Sequence, residues 1–234
     1  MTAQEISKIL HDLADPLIAE HSQRFFKTGC GQYGEGDHFL GIRVPVLREQ
    51  TKKFKDTSLG EIQCLLRSAY HEERLCALLL LVQKFSRGSI ADQKVIYEFY
   101  LKNTRHINNW DLVDLSAYLI VGGYLADKDR RPLYALARSK SLWERRIAII
   151  ATFHFIKRNQ FADTLEIARI LLNDQEDLIH KATGWMLREV GKRDLAVEAG
   201  FLKTYYSQMP RTMLRYAIEK FPENERLKYL KGLI

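Results

Sequence analysis

HEERLCALLLLVQKF, residues 71–85, sets Leu75, Leu78, Leu79, Val82 and Phe85 three and four positions apart. That spacing marks one face of an α-helix, because a turn of 3.6 residues returns those side chains to the same side. SLWERRIAIIATFHFIKR, residues 141–158, repeats the rhythm with Leu142, Ile149, Ile150 and Phe153. Alternating apolar and polar runs bounded by hairpin turns are absent, which argues against a substantial sheet. Helix starts are marked as well. Ser58-Leu-Gly-Glu61 has the spacing of a capping box, and Asp15-Pro16 and Val44-Pro45 put proline where a first helical turn tolerates it.

The helices recur. Long amphipathic helices are predicted to begin near His71, Asn108, Leu142 and Asp177, about 34 to 37 residues apart, each preceded by another helical stretch. Stacked helix pairs have that period, so the expected fold is all-α, an α-solenoid superhelix. Its inner helices would line a concave surface suited to an extended partner. No low-complexity linker interrupts the chain, and residues 1–234 are expected to form a single repeat domain.

The chain of 234 residues is 46% apolar and 28% charged, enough to bury a core and too rich in apolar residues for a disordered protein. Its 36 Lys and Arg against 29 Asp and Glu leave a net charge of +7, which favours a polyanionic partner. No stretch approaches the roughly 20 apolar residues that span a bilayer. The start, MTAQEISKIL, is polar and amphipathic rather than a signal peptide, and a cytoplasmic protein is expected. Cys30, Cys64 and Cys76 lack the spacing of a disulfide framework or a metal site, so reduced thiols are expected, two of them packing as small apolar residues. The seven histidines are scattered, with no H-E-x-x-H, and neither G-x-S-x-G nor a P-loop occurs. No metal and no cofactor is expected.

TGCGQYGEGDHFLGIRVP, residues 28–45, breaks the helical pattern. Gly29 to Gly34 satisfies G-x-G-x-x-G, but a dinucleotide fingerprint needs a strand before it and a helix directly after it. A flexible connector is the expected reading, its glycines supplying positive φ angles; a loop whose amides approach phosphates is the alternative.

NNWDLVD, residues 108–114, puts Trp110 and Asp114 on one helical face, with Asp111 about a turn's width away and Leu112, Leu115 and Leu119 on the apolar stripe. Taken alone, a solvated acid and a core aromatic explain the pair more simply. The later helices change that balance. Arg145 and Arg146 begin one of them, and Lys181, Trp185, Arg188 and Lys192 form a mixed aromatic and basic stripe on another. Stacking at the observed period would bring Trp110, Asp114, Arg146 and Trp185 to one concave face, an acid within a cationic groove.

Four segments carry a resemblance: FLGIRVPVLR (39–48), NNWDLVD (108–114), LWERRIAI (142–149) and IHKATGWMLREV (179–190). Through them most of the chain resembles the DNA alkylation repair enzymes of the AlkD type. The resemblance implies a superhelix of HEAT-like repeats and a DNA glycosylase that excises N3- and N7-alkylated purines from duplex DNA. It further implies that Trp110 and Trp185 flank the lesion nucleotide, that Asp114 is the catalytic carboxylate, and that Arg146 contacts DNA. A lesion that stays stacked while its sugar is contacted is also implied. Arg145, Lys181 and Arg188 are the further candidate phosphate contacts. Two other classes stand beside this one: a catalytically silent HEAT-like protein that binds damaged or branched DNA, and a scaffold that binds an acidic protein segment.

Overall fold

The computed structural model describes residues 1–234, which divide into two compact units, Met1–Ser116 and Ala117–Ile234. The first holds α1 (Ala3–His11), α2 (Pro16–Phe25), α3 (Val44–Lys53), α4 (Leu59–Leu66), α5 (His71–Arg87), α6 (Ile90–Lys102) and α7 (Trp110–Asp114). The second holds α8 (Ala117–Tyr124), α9 (Arg131–Ala137), α10 (Leu142–Ala151), α11 (Phe153–Ile156), α12 (Ala162–Ile170), α13 (Asp177–Gly191), α14 (Leu195–Tyr205), α15 (Arg211–Ala217) and α16 (Glu223–Lys231). Two short 3₁₀ turns and one isolated bridge, His38 to Tyr70, complete the secondary structure, which contains no strand. No helix is long and apolar enough to cross a membrane.

Within each unit, helices pack on their near neighbours in sequence: α4 and α6 on α5, α8 and α9 on α10, α14 and α15 on α13. This is the helix-pair arrangement of an α-solenoid of helical repeats. The core of the first unit is α5, where every residue from His71 to Leu81 is buried. Fully burying a side chain such as Leu78 or Leu80 contributes roughly 1.5–3 kcal/mol. In the second unit α13 lies close on α15, since a Cβ at Gly184 would come within 2.3 Å of the Met213 carbonyl. Met186, Leu187 and Val190 of α13 are completely buried.

Several local expectations are corrected. Ser58 accepts the Glu61 amide, but Glu61 does not reciprocate; its carboxylate takes the Ala3 N–H at 2.6 Å and caps α1 instead. Reciprocal boxes form at Thr2 with Glu5 and at Ser89 with Asp92. The long helix predicted from Asn108 is two short ones. At the break the Ser116 hydroxyl donates to the Leu112 carbonyl at 2.5 Å, while its amide turns to Val113, so the side chain has taken the helical acceptor. Leu115 and Leu119 are accordingly only half-buried, and Leu112, Val113, Ala117 and Ile120 carry the packing. Thr152, bonded through both amide and hydroxyl to the Ile149 carbonyl, divides α10 from α11. Only one thiol packs in the core, Cys76; Cys30 and Cys64 are exposed, Cys64 because α4 turns Ile62, Leu65 and Leu66 inward.

The glycine-rich segment is not a free connector. Gly31, Gly36 and Gly41 do take positive φ, but Asp37, Phe39, Leu40 and Ile42 are buried. The amides of Leu40, Gly41 and Ile42 donate to one carboxylate, Glu72, at 2.9, 2.8 and 3.2 Å. These three amides are occupied by an internal anion rather than offered to a phosphate. Gly41 also lies so close to α2 that a Cβ would sit 2.2 Å from the Asp15 carbonyl.

Candidate active site

Trp110 and Asp114 are the first and last residues of α7, one turn apart. Both side chains are half-buried. Asn109 caps the helix, its side-chain oxygen accepting the Trp110 N–H at 2.8 Å. The back of the indole is covered by α2 and the residue after it: Phe26 stacks on it at 5.1 Å and 12°, and Phe25, itself more than half exposed, meets it edge-on at 5.9 Å. Beneath Asp114, the Tyr100 hydroxyl lies 2.8 Å from Ser116 Oγ in a fully buried position. Burial and then the Asp114 charge push the Tyr100 pKa upward, against the Ser116 bond, so this phenol is a neutral partner.

Behind Trp110 is a buried polar cluster that helical periodicity did not disclose. His71 Nε2 lies 2.8 Å from Asp111 Oδ2, and His71 Nδ1 lies 3.4 Å from Asp37 Oδ2. Arg74 donates to Asp37 Oδ1 at 2.7 Å, and Asn109 donates to Asp37 Oδ2 at 3.1 Å. Burial alone would lower the His71 pKa; the charge and hydrogen bond of Asp111, joined by Asp37, raise it to about 9. At neutral pH the ring is therefore an imidazolium between two carboxylates. Burial works against ionisation of Asp37, but His71, Arg74 and Asn109 together hold its pKa below the usual value. Asp111, set off from the Trp110 and Asp114 face as its spacing predicts, is buried in this cluster.

In the second unit Trp185 is half-buried on α13 and donates from Nε1 to Glu189 at 3.1 Å. Phe153 lies 6.1 Å from its ring, and Tyr118 meets Phe153 at 5.5 Å. Lys157, exposed, is held over Phe153 and Tyr118 at 4.4 and 4.6 Å. Lys157 is absent from the sequence-derived candidates; its only sequence signal is the i, i+4 spacing from Phe153.

The four expected phosphate contacts are all engaged within the chain. Arg145 pairs with Asp174 at 2.6 Å and donates to the Ser139 and Lys140 carbonyls. Arg146 is buried and donates to the Leu178 carbonyl at 2.5 Å. Lys181 pairs with Asp177 at 2.7 Å, and Arg188 with Glu219. The basic stripe on α13 is thus interleaved with Asp177 and Glu189, the latter also accepting Lys192 at 2.6 Å. Arg146 in particular presents no exposed guanidinium, because α10 turns it inward with Ile147 and Ile150.

The family model of the DNA alkylation repair enzymes matches residues 6–221. The chain belongs to the DNA alkylation repair enzyme family. A solved structure described as a predicted DNA alkylation repair enzyme from Enterococcus faecalis is similar over 90% of this chain and 97% of its own, with a TM-score of 0.70 and 17% sequence identity. At that identity the likeness supports the shared helical-repeat fold. No curated protein matches the chain. For a member of this DNA alkylation repair family, a half-buried indole one turn from a carboxylate is suited to a flat cation, since indole faces attract positive charge and a fixed carboxylate stabilises it.

Proposed function

We propose that the protein is a DNA glycosylase that excises positively charged N3- and N7-alkylated purines from duplex DNA by hydrolysing the N-glycosidic bond, the first step of base excision repair. The observation that supports it most is the pair on α7: Trp110, backed by Phe26, and Asp114, one turn away. Family membership supplies the DNA-repair context.

An alkylated purine of this kind carries a positive charge and leaves as a neutral base, so its glycosidic bond is already weakened. As the bond stretches, positive charge moves onto the deoxyribose. In this proposal Asp114 stabilises that charge and orients the attacking water, as carboxylates do at glycosidase centres. Trp110 and Trp185 are assigned to flank the charged nucleotide, each cation–π contact being worth up to about 2 kcal/mol when desolvated. Lys181 and Arg188 would exchange their carboxylate partners for phosphates, while Arg145 and Arg146 support the DNA-facing helices. Residues 1–234 act as one HEAT-like repeat domain on the duplex. The lesion remains stacked in this reading, which predicts that a bulky N7 adduct is still excised.

The deciding experiment is release of 7-methylguanine and 3-methyladenine from methylated duplex by the parent protein and by Asp114→Asn. Release that collapses in a folded variant while duplex binding persists supports the assignment. A folded parent with no release above spontaneous depurination, yet with salt-sensitive binding, replaces it with the silent DNA-binding class.

A further inference from the structure

Trp110 is the one residue of its segment whose two chain neighbours are both tied into a buried ion cluster. On one side Asn109, with no exposed surface, donates to Asp37 and accepts the Trp110 N–H. On the other, Asp111 meets His71 Nε2 with one oxygen and accepts the Leu112 N–H with the other at 2.8 Å. The ring is set by the same group from another direction. Trp110 stacks on Phe26, and Phe26 in turn rests on His71 at 4.9 Å and on Phe39 at 4.9 Å, while Phe39 stacks on His71 at 4.6 Å.

We infer that His71, acting through Asp111 and Phe26, is the positioning residue for Trp110: it holds both the backbone at the start of α7 and the aromatic floor beneath the indole. The imidazole supplies two donors when protonated, and each meets a carboxylate carried by a different segment, Asp37 from the glycine-rich stretch and Asp111 from α7. Asp37 keeps Arg74 and Asn109 if the ring is lost, but Asp111 Oδ2 has only His71, so losing the Nε2 donor leaves a buried carboxylate oxygen without its partner, which costs more than the bond itself. The start of α7 would then relax, and Trp110 and Asp114 would shift together because they share one turn of helix. Misplacement by about 1 Å of groups that must meet a reacting centre lowers turnover by roughly 100-fold.

This rests on the reading of Trp110 and Asp114 given above, and its first test does not depend on activity. In a Trp143→Phe, Trp185→Phe background Trp110 is the sole indole of three. Acrylamide quenching of its fluorescence should be intermediate at pH 7, as for a half-buried ring, and should rise in His71→Gln and in the milder Asp111→Asn, with helix content by circular dichroism unchanged. The protein with native His71 should show a smaller rise between pH 7 and 10, following the imidazole resonance of His71 by NMR, because the neutral ring loses its charge but keeps one N–H; the charged groups facing that ring are Asp37, Asp111 and Arg74. Quenching that stays flat in folded variants and through the imidazole titration overturns the inference, and the titration decides it if neither variant folds. On methylated duplex, His71→Gln should lower kcat by roughly 10- to 100-fold with KM little changed. A parent that releases no base speaks against the glycosylase proposal alone and leaves the fluorescence result standing.

Discussion

His71 and Asp111 form a buried 2.8 Å contact between the first residue of α5 and the second of α7, across 40 positions of sequence. It joins the helix that forms the core of the first unit to the helix that carries Trp110 and Asp114. The stability of the unit and the placement of the candidate site are therefore coupled through one titratable ring.

That coupling has a pH signature. Because the His71 pKa is raised from 6.5 to about 9, the folded state holds more protons than the unfolded chain across that window. The stabilisation is fully present below pH 6.5 and is lost as pH rises through 9, amounting to about 3 kcal/mol. Asp37, whose pKa is lowered, contributes in the opposite sense: its share is present above pH 3.8 and lost on acidification. Urea unfolding of the parent and of His71→Gln at pH 6, 8 and 10 checks this. The two curves should converge toward alkaline pH.

Glu198 should behave as a buried liability. It is almost completely buried on α14, and one of its carboxylate oxygens has no hydrogen-bond partner. Burial pushes its pKa from 4.5 up to about 8, against the attraction of Arg188. The unfolded chain releases this proton at lower pH, so stability declines as pH rises from 4.5 through 8. Glu198→Gln is expected to be more stable than the parent at pH 9 by about 5 kcal/mol, and so to melt at a higher temperature, with little difference at pH 5. Equal melting temperatures at pH 9 would count against a strained acid there.

Two glycines with similar backbone angles should respond differently to the same substitution. Gly41 has φ 82° and lies against the Asp15 carbonyl, whereas Gly31 has φ 73° and open space around it. Gly31→Ala should cost about 1 kcal/mol for the left-handed backbone alone. Gly41→Ala adds a clash with the main chain of α2 and should cost at least about 3 kcal/mol, or roughly 6–12 °C in Tm for a chain of this size. Thermal melts of the two variants side by side make the comparison.

Lys157, held over Tyr118 and Phe153 without a carboxylate partner, is an exposed cation of the second unit near Trp185's neighbour Phe153. If the protein binds duplex DNA as proposed, Lys157→Met should make the logarithmic salt dependence of binding less steep by about 1. An unchanged slope would remove Lys157 from the interface.

Much of the fold was legible before any coordinates. The helices at His71, Leu142 and Asp177 start where the apolar rhythm places them, since that rhythm directly reflects which face is dry. Trp110 and Asp114 were legible as a pair because both lie within a single turn. The break after Asp114 was not, because it depends on which carbonyl the Ser116 hydroxyl takes.

The amino-acid sequence by itself determined the helical-repeat class and the α7 pair, which rest on local spacing, and the family, which rests on the likeness of whole segments. Only the tertiary structure decided the fate of the charges. HEER, residues 71–74, is four polar side chains in the first turn of α5, yet all four are buried and partnered by Asp37, Asp111, Ser7 and the amides of residues 40–42. Arg145 and Arg146 read as groove cations, yet they close on Asp174 and the Leu178 carbonyl. Periodicity records how apolar a position is, whereas the free energy of a charge depends on which distant group the fold brings within about 3 Å of it.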